Sequence, residues 1–285
     1  MKMTSRLILI FVTGLTFQFT ICHSYLHAQA GCEFDAEVSA DHLQKAIRLH
    51  RRLTGTRPNC ELKVEIAELI KAADPISAAK LVMDYYGSDE NPEGFNYFYS
   101  HTLPRFFGPW FDEDDNIAEL NDSIATLVGF VRDELPFNEI LSQNIIYIGS
   151  DFSEELASQI PPFDLANNRH YEALVDNRID LFKHLKQKLQ TEPDIDPDQN
   201  LLGYESVPAG ILTTRGWASE YYNAGTNRAP IRFMLKRFFC EDIEAFHDTT
   251  VPDSEIRRDV DRAPGGDRLV FTNKCKGCHA GMDPM

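Results

Sequence analysis

Basic residues are scarce in this chain. Against 44 aspartates and glutamates stand 28 lysines and arginines, a formal net charge of −16 over 285 residues. Binding a phosphate backbone needs a basic face, so the balance argues against nucleic acid as a partner and against an anionic membrane surface. Several patterns are missing as well. There are no internal repeats, no nucleophile elbow, no metalloprotease helix motif and no second Cys-x-x-Cys. The common hydrolase chemistries and a four-cysteine zinc site therefore have no support. After the first thirty residues no apolar run is long enough to span a bilayer, which takes about 20 residues. What remains is ordinary globular composition, 43% hydrophobic and 25% charged.

The N-terminus reads as an export signal over residues 1–30. Lys2 and Arg6 form a positive start, Leu7 to Ile21 is apolar, and Ala28-Gln29-Ala30 offers small residues for cleavage. Location in the periplasm, or export by another route, follows. An outer-membrane lipoprotein acylated at Cys32 is the alternative, with Gln29 standing where an aliphatic residue is preferred. An uncleaved anchor is the third reading. Of six cysteines, Cys22 leaves with the signal. In an oxidising compartment Cys32 and Cys60, which flank the first helix, are the candidate disulfide pair, with buried free thiols as the alternative. Cys240 is then odd, and is expected to be buried beside Arg237-Phe238-Phe239.

Helical periodicity dominates and predicts a mainly α fold. "DAEVSADHLQKAIRLHRRLTG" sets Val38, Leu43, Ile47 and Leu49 near one face and stops at Gly55. "CELKVEIAELIKAA" repeats the pattern with Leu62, Ile66, Leu69 and Ile70, and Pro75 opens a third helix that ends by Gly87. Between Phe95 and Trp110 lie seven aromatic residues, which predict an aromatic core helix. Further helices are expected over 116–135, 171–190, 210–224 and 229–243, with a short β-like run at "NIIYIGSD". The acidic, proline-rich stretch "TEPDIDPDQN" reads as a linker. The expected organisation is a helical N-terminal domain over 31–191, a linker over 192–203, and a helical segment over 204–285. "DEDD" at 112–115 reads as a solvated helix start rather than a calcium loop.

The last segment carries the chemistry. "CKGCH" places two thiols three positions apart with His279 directly after. This is the attachment pattern of c-type haem: Cys275 and Cys278 can each add to one vinyl group of a porphyrin, and His279 then supplies an axial ligand to iron. One covalent haem c is the expected cofactor. Covalent attachment takes place outside the cytoplasm, in agreement with the export signal. A zinc site or a redox thiol pair is the alternative. Zinc lacks a full set of ligands, and a thioredoxin-like pair lacks its βαβ context. Arg215 and Trp217 could meet a haem edge or stabilise a helix start. For a sixth iron ligand Met83, Met234, His101, His170, His184 and His247 are on offer, Met282 and Met285 stand too close to His279 in sequence to cross the porphyrin plane easily, and an open or water-filled position is the alternative.

"CKGCHAGMDP" resembles the Cys-x-x-Cys-His-x-x-Met-Asp-Pro signature of planctomycete-type exported cytochrome c proteins, which are built from domains of unknown function. "GILTTRGW", "PFNEILSQNIIYIGSD" and "AIRLHRRLTGTRPNCELKVEIAELI" are similar to upstream segments of those proteins. The resemblance implies export, covalent haem and electron transfer with an unknown redox partner, and names no substrate or catalytic residue. Members of that family continue well past the motif, whereas this sequence stops at Met285. A truncated haem segment is therefore the expectation, with a scaffold carrying a non-functional motif as the other reading.

Overall fold

The computed structural model describes residues 38–85, 95–192, 208–222 and 228–284. The chain divides into two compact units, residues 1–93 and 94–285. It is mainly helical, as expected. The expected export signal, Cys32, and all of the expected 192–203 linker except Glu192 lie outside the described residues. No described helix is long and apolar enough to cross a membrane.

The first unit holds three helices: α1 (Ala40–Thr54), α2 (Cys60–Lys71) and α3 (Pro75–Met83). Each starts on a side-chain cap. The Ser39 hydroxyl accepts the N–H of His42, Asn59 Oδ1 that of Leu62, and Asp74 Oδ1 that of Ser77. Gly55, at φ 75°, closes α1 with its N–H on the carbonyl of Arg51. Leu62, Ile66 and Val82 fill the core, and Ala46, Ala67 and Ala78 bring the helices close. The α1 face is centred on Ala46, His50 and Thr54, slightly turned from the expected stripe. Cys60 is disulfide-bonded. The proposed partner, Cys32, is outside the described residues.

In the second unit an aromatic segment enters first. A π-helical turn (Phe98–Thr102) leads into α4 (Leu103–Phe107) and a 3₁₀ turn (Gly108–Phe111). Phe98, Tyr99, Phe107 and Phe111 are buried, while Phe106 is largely exposed. The centre of the unit is α5 (Asp122–Arg132), buried from Asp122 to Phe130. Against it runs a two-stranded antiparallel ribbon, β1 (Ile146–Gly149) with β2 (Leu185–Lys188), Tyr147 opposite Gln187. Gly129 on α5 is needed here, because a Cβ would stand 2.3 Å from the Tyr147 ring. Short helices α6 (Glu154–Ala157), α7 (Arg169–Asp176) and α8 (Leu181–His184) lie between the strands.

The helix expected over 171–190 is therefore broken. Arg178, at φ 49°, ends the first part, and Asp180 caps α8 through the N–H of Phe182. Arg132 Nη1 donates to the carbonyls of Phe182 and Leu185 at 3.1 and 2.7 Å. Residues 185–188 then pair with β1, a partner that local periodicity does not reveal.

Beyond the linker, α9 (Arg215–Tyr221) packs on α5, and α10 (Arg228–Phe238) follows. Segments on both sides of the linker thus share one core. Trp217 and Tyr221 are fully buried, with Tyr221 stacked on Phe233 at 4.5 Å and Trp217 edge-on to Phe111. The join is ionic. Asp122, fully buried, accepts the N–H groups of Arg215 (2.6 Å), Gly216 (2.7 Å) and Ser123 (3.0 Å). Burial raises the Asp122 pKa, while those N–H groups and the Arg215 charge pull against the rise. Asp122→Ala would orphan N–H groups at two helix starts. It should lower the unfolding free energy by about 3 kcal/mol, measured by urea unfolding. Ser123→Ala, which removes only the 2.6 Å bond to the Thr214 hydroxyl, should lower it by about 1 kcal/mol.

Candidate functional site

The C-terminal motif sits on a continuous helical run. Gly265 and Gly266, at φ 65° and 83°, turn the chain in a conformation that L side chains resist. Asp267 then caps α11 (Arg268–Val270) by accepting the N–H of Leu269. A π turn (Phe271–Cys275) follows, and α12 (Lys276–Met282) completes the run. The helical run therefore extends through the motif to Met282. At about 3.6 residues per turn, positions 275, 278, 279 and 282 share one side of the helix and 277 lies on the other. Phe271, four residues before Cys275, is buried in a small apolar cluster with Ile256 and Ala280, and Cys275 packs against that cluster.

Cys275 and Cys278 are free thiols, part-buried and one turn apart. Burial raises the Cys278 pKa, and the nearby carboxylates of Glu244 and Asp242 add to the rise against the Arg232 charge. A reactive thiolate needs the opposite surroundings. His279 has 22% of its side chain exposed, and its Nδ1 lies 3.1 Å from Asp283 Oδ1. The Asp283 side chain is fully buried. It also accepts Arg228 Nε at 3.1 Å and the N–H of Arg257 at 3.0 Å. Burial pushes the Asp283 pKa up, but the bonds from His279, Arg228 and Arg257 hold it below the ordinary carboxylate range. Arg228 is itself fixed by Asp259, at 2.9 and 3.0 Å.

The donor set fits a covalent haem: two free thiols on one helix face, and a histidine engaged through Nδ1 with, among the described residues, no hydrogen bond at Nε2. Among the described residues no three His, Cys, Asp or Glu side chains gather as a metal cluster.

The structure sorts the other candidate ligands. His170 is buried and spent on structure: Nε2 accepts the N–H of Gly149 at 2.9 Å, and Nδ1 donates to the Pro161 carbonyl at 2.8 Å. His184 bonds the Ser150 carbonyl and stacks on Phe152. The His247 ring covers Gly277, where a Cβ would meet it at 2.5 Å. His247 is thus packed against the motif helix at Gly277, at the end of the segment whose Asp242 and Glu244 lie near Cys278. Met282 is buried on the same helix as His279, His101 is exposed, Met234 is on α10, and Met83 belongs to the first unit. Met285 is outside the described residues.

Arg215 and Trp217 serve the start of α9, through Asp122 and the aromatic core, with Arg215 Nη2 also on Asn168 Oδ1. The "DEDD" stretch is a turn rather than a helix start: Asp112 Oδ1 accepts the N–H groups of Asp114 and Asn116, and Asp115 pairs with Arg237 at 2.6 Å. Cys240, expected to be buried, is exposed at φ 56°, because α10 ends at Phe238 and the chain turns outward there. The residues that sequence reasoning missed are Asp283, Arg228, Asp259 and Arg257. One signal was readable: Asp283 stands four positions after His279, the spacing of neighbours on a helix face.

His170 carries a pH dependence. Burial lowers its pKa below the ordinary value of about 6.5. Above that value the imidazole is neutral in both states and its contribution is complete. As pH falls through 6.5 the unfolded chain takes up the proton first, and the contribution is lost until the folded imidazole also titrates. Urea unfolding should therefore show stability falling between pH 7.5 and pH 5, with a smaller fall in His170→Gln. In comparisons with known proteins, the chain matches no family model, no curated protein and no solved structure.

Proposed function

We propose that this chain is an exported c-type cytochrome-like protein. Cys275 and Cys278 would hold one haem through two thioether bonds, and His279 Nε2 would ligate its iron. When bound, the haem would supply one-electron redox chemistry, exchanged with a partner protein. The observation that carries this reading is the single helix face presenting both free thiols beside a histidine whose Nδ1 is already engaged. A metal-ligating histidine commonly donates its second ring nitrogen to a carboxylate in this way. The apolar cluster of Ile256, Phe271 and Ala280 beside Cys275 would exclude water from one edge of the site. The signal-like residues 1–30 support maturation outside the cytoplasm, where haem c is attached, with Cys32 as an alternative lipid anchor.

The test is a pyridine haemochrome spectrum on protein matured in a host with cytochrome c assembly. A c-type α-band should survive acid-acetone extraction in the wild type and be absent in Cys275→Ser/Cys278→Ser. A wild type without covalent haem would overturn the reading and turn attention to zinc or thiol chemistry at the same residues.

A further inference from the structure

We infer that Asp283 is the positioning residue for His279: it fixes which ring nitrogen carries the proton and adds a negative charge behind the imidazole. The geometry comes from three directions. Asp283 Oδ1 takes the His279 Nδ1–H and Arg228 Nε–H, both at 3.1 Å, and Oδ2 takes the Arg257 N–H at 3.0 Å. The carboxylate is fully buried, so water does not compete for it. Arg228 cannot swing away cheaply, because Asp259 holds its other edge at 2.9 and 3.0 Å. His279 and Asp283 sit four residues apart at the end of α12, which brings one side chain onto the other. With the proton held on Nδ1, Nε2 keeps its lone pair as a metal ligand requires.

The second consequence is electronic and rests on the haem reading given above. An anionic acceptor at Nδ1 makes the imidazole a stronger donor to iron than a neutral carbonyl would. That favours the ferric state and lowers the reduction potential. Arg228 partly offsets the charge, so the pair sets the potential together. A purely structural role, in which Asp283 only ties the helix end to α10, would change stability and leave both the tautomer and the potential where they were.

The test has two arms. In the first, the haem-free full chain is labelled with ¹⁵N-histidine and examined above the imidazole titration range by long-range ¹H–¹⁵N correlation. His279 should be in the Nδ1–H form in the wild type and move to the Nε2–H form in Asp283→Ala, with amide shifts outside the last helix reporting that the variant is folded. An Nε2–H form in the wild type, or no change in the variant, overturns the positioning role. In the second arm Asp283→Asn, which keeps size and an acceptor but loses the charge, is matured with haem. Its midpoint potential should be higher than that of the wild type, and its ferrous iron–histidine stretching band lower in frequency. Unchanged values overturn the electronic role, and this variant also decides the case if the alanine form does not fold. A wild type that takes up no haem would refute the proposed function and leave the first arm standing.

Discussion

Two helix starts share one buried anion, and much of the second unit hangs on that arrangement. Asp122 begins α5 and takes the N–H of Ser123, yet its oxygens also receive Arg215 and Gly216 at the start of α9. A buried carboxylate is unfavourable alone, but helix N-termini carry partial positive charge and unsatisfied N–H groups. Each requirement answers the other. Around this point the packing leaves no slack. Gly216 has no room for a Cβ, which would lie 2.6 Å from Asn121 Oδ1 and Ser123 Oγ. Arg215 Nη2 reaches Asn168 Oδ1, whose amide in turn donates to the Leu120 carbonyl.

From that joint, order passes along the chain toward the motif. Once α9 is fixed, Trp217 and Tyr221 are presented to α10, where Phe233 and Phe238 meet them. The first residue of α10 is Arg228, which reaches Asp283 and through it the ring of His279. His279 is therefore tied to the core of the second unit by packed side chains and hydrogen bonds. Side chains held in this way keep their geometry through the protein's own contacts.

How much of this was legible depended on range. Ser39, Asn59, Asp74 and Gly55 are local signals, and the three helices they bound are where the sequence places them. The spacing of the two thiols and the histidine was legible as a pattern, and the structure places all three along one helical run. The second strand was not. Leu185 to Lys188 carries a helical pattern when read alone, and only the pairing with β1 and the Arg132 guanidinium on the preceding carbonyls make it extended. Likewise nothing near Asp122 announces Arg215, which lies 93 residues later. Asp283 was the intermediate case: its spacing from His279 was visible, but its burial and the reach of Arg228 and Arg257 belong to tertiary structure.

The charge distribution is uneven along the chain. Between Arg228 and Pro284 there are ten lysines and arginines and ten aspartates and glutamates, so the whole surplus of −16 lies before Arg228. Many of the ten cations are paired: Arg228 with Asp259 and Asp283, Arg232 with Asp242, Arg237 with Asp115, Lys276 with Asp253. Electrostatic steering works through net fields, and at physiological salt those fade within about 8 Å. A surface balanced residue by residue therefore offers little long-range pull at the motif itself. The same segment also exposes the apolar side chains of Phe239, Phe246 and Leu269. The acidic surplus is not spread over the rest of the chain, because residues 38–85 are slightly basic, with eight lysines and arginines against six aspartates and glutamates. The segment that carries the motif is thus balanced in charge, whereas residues 94–227 set 22 aspartates and glutamates against eight lysines and arginines.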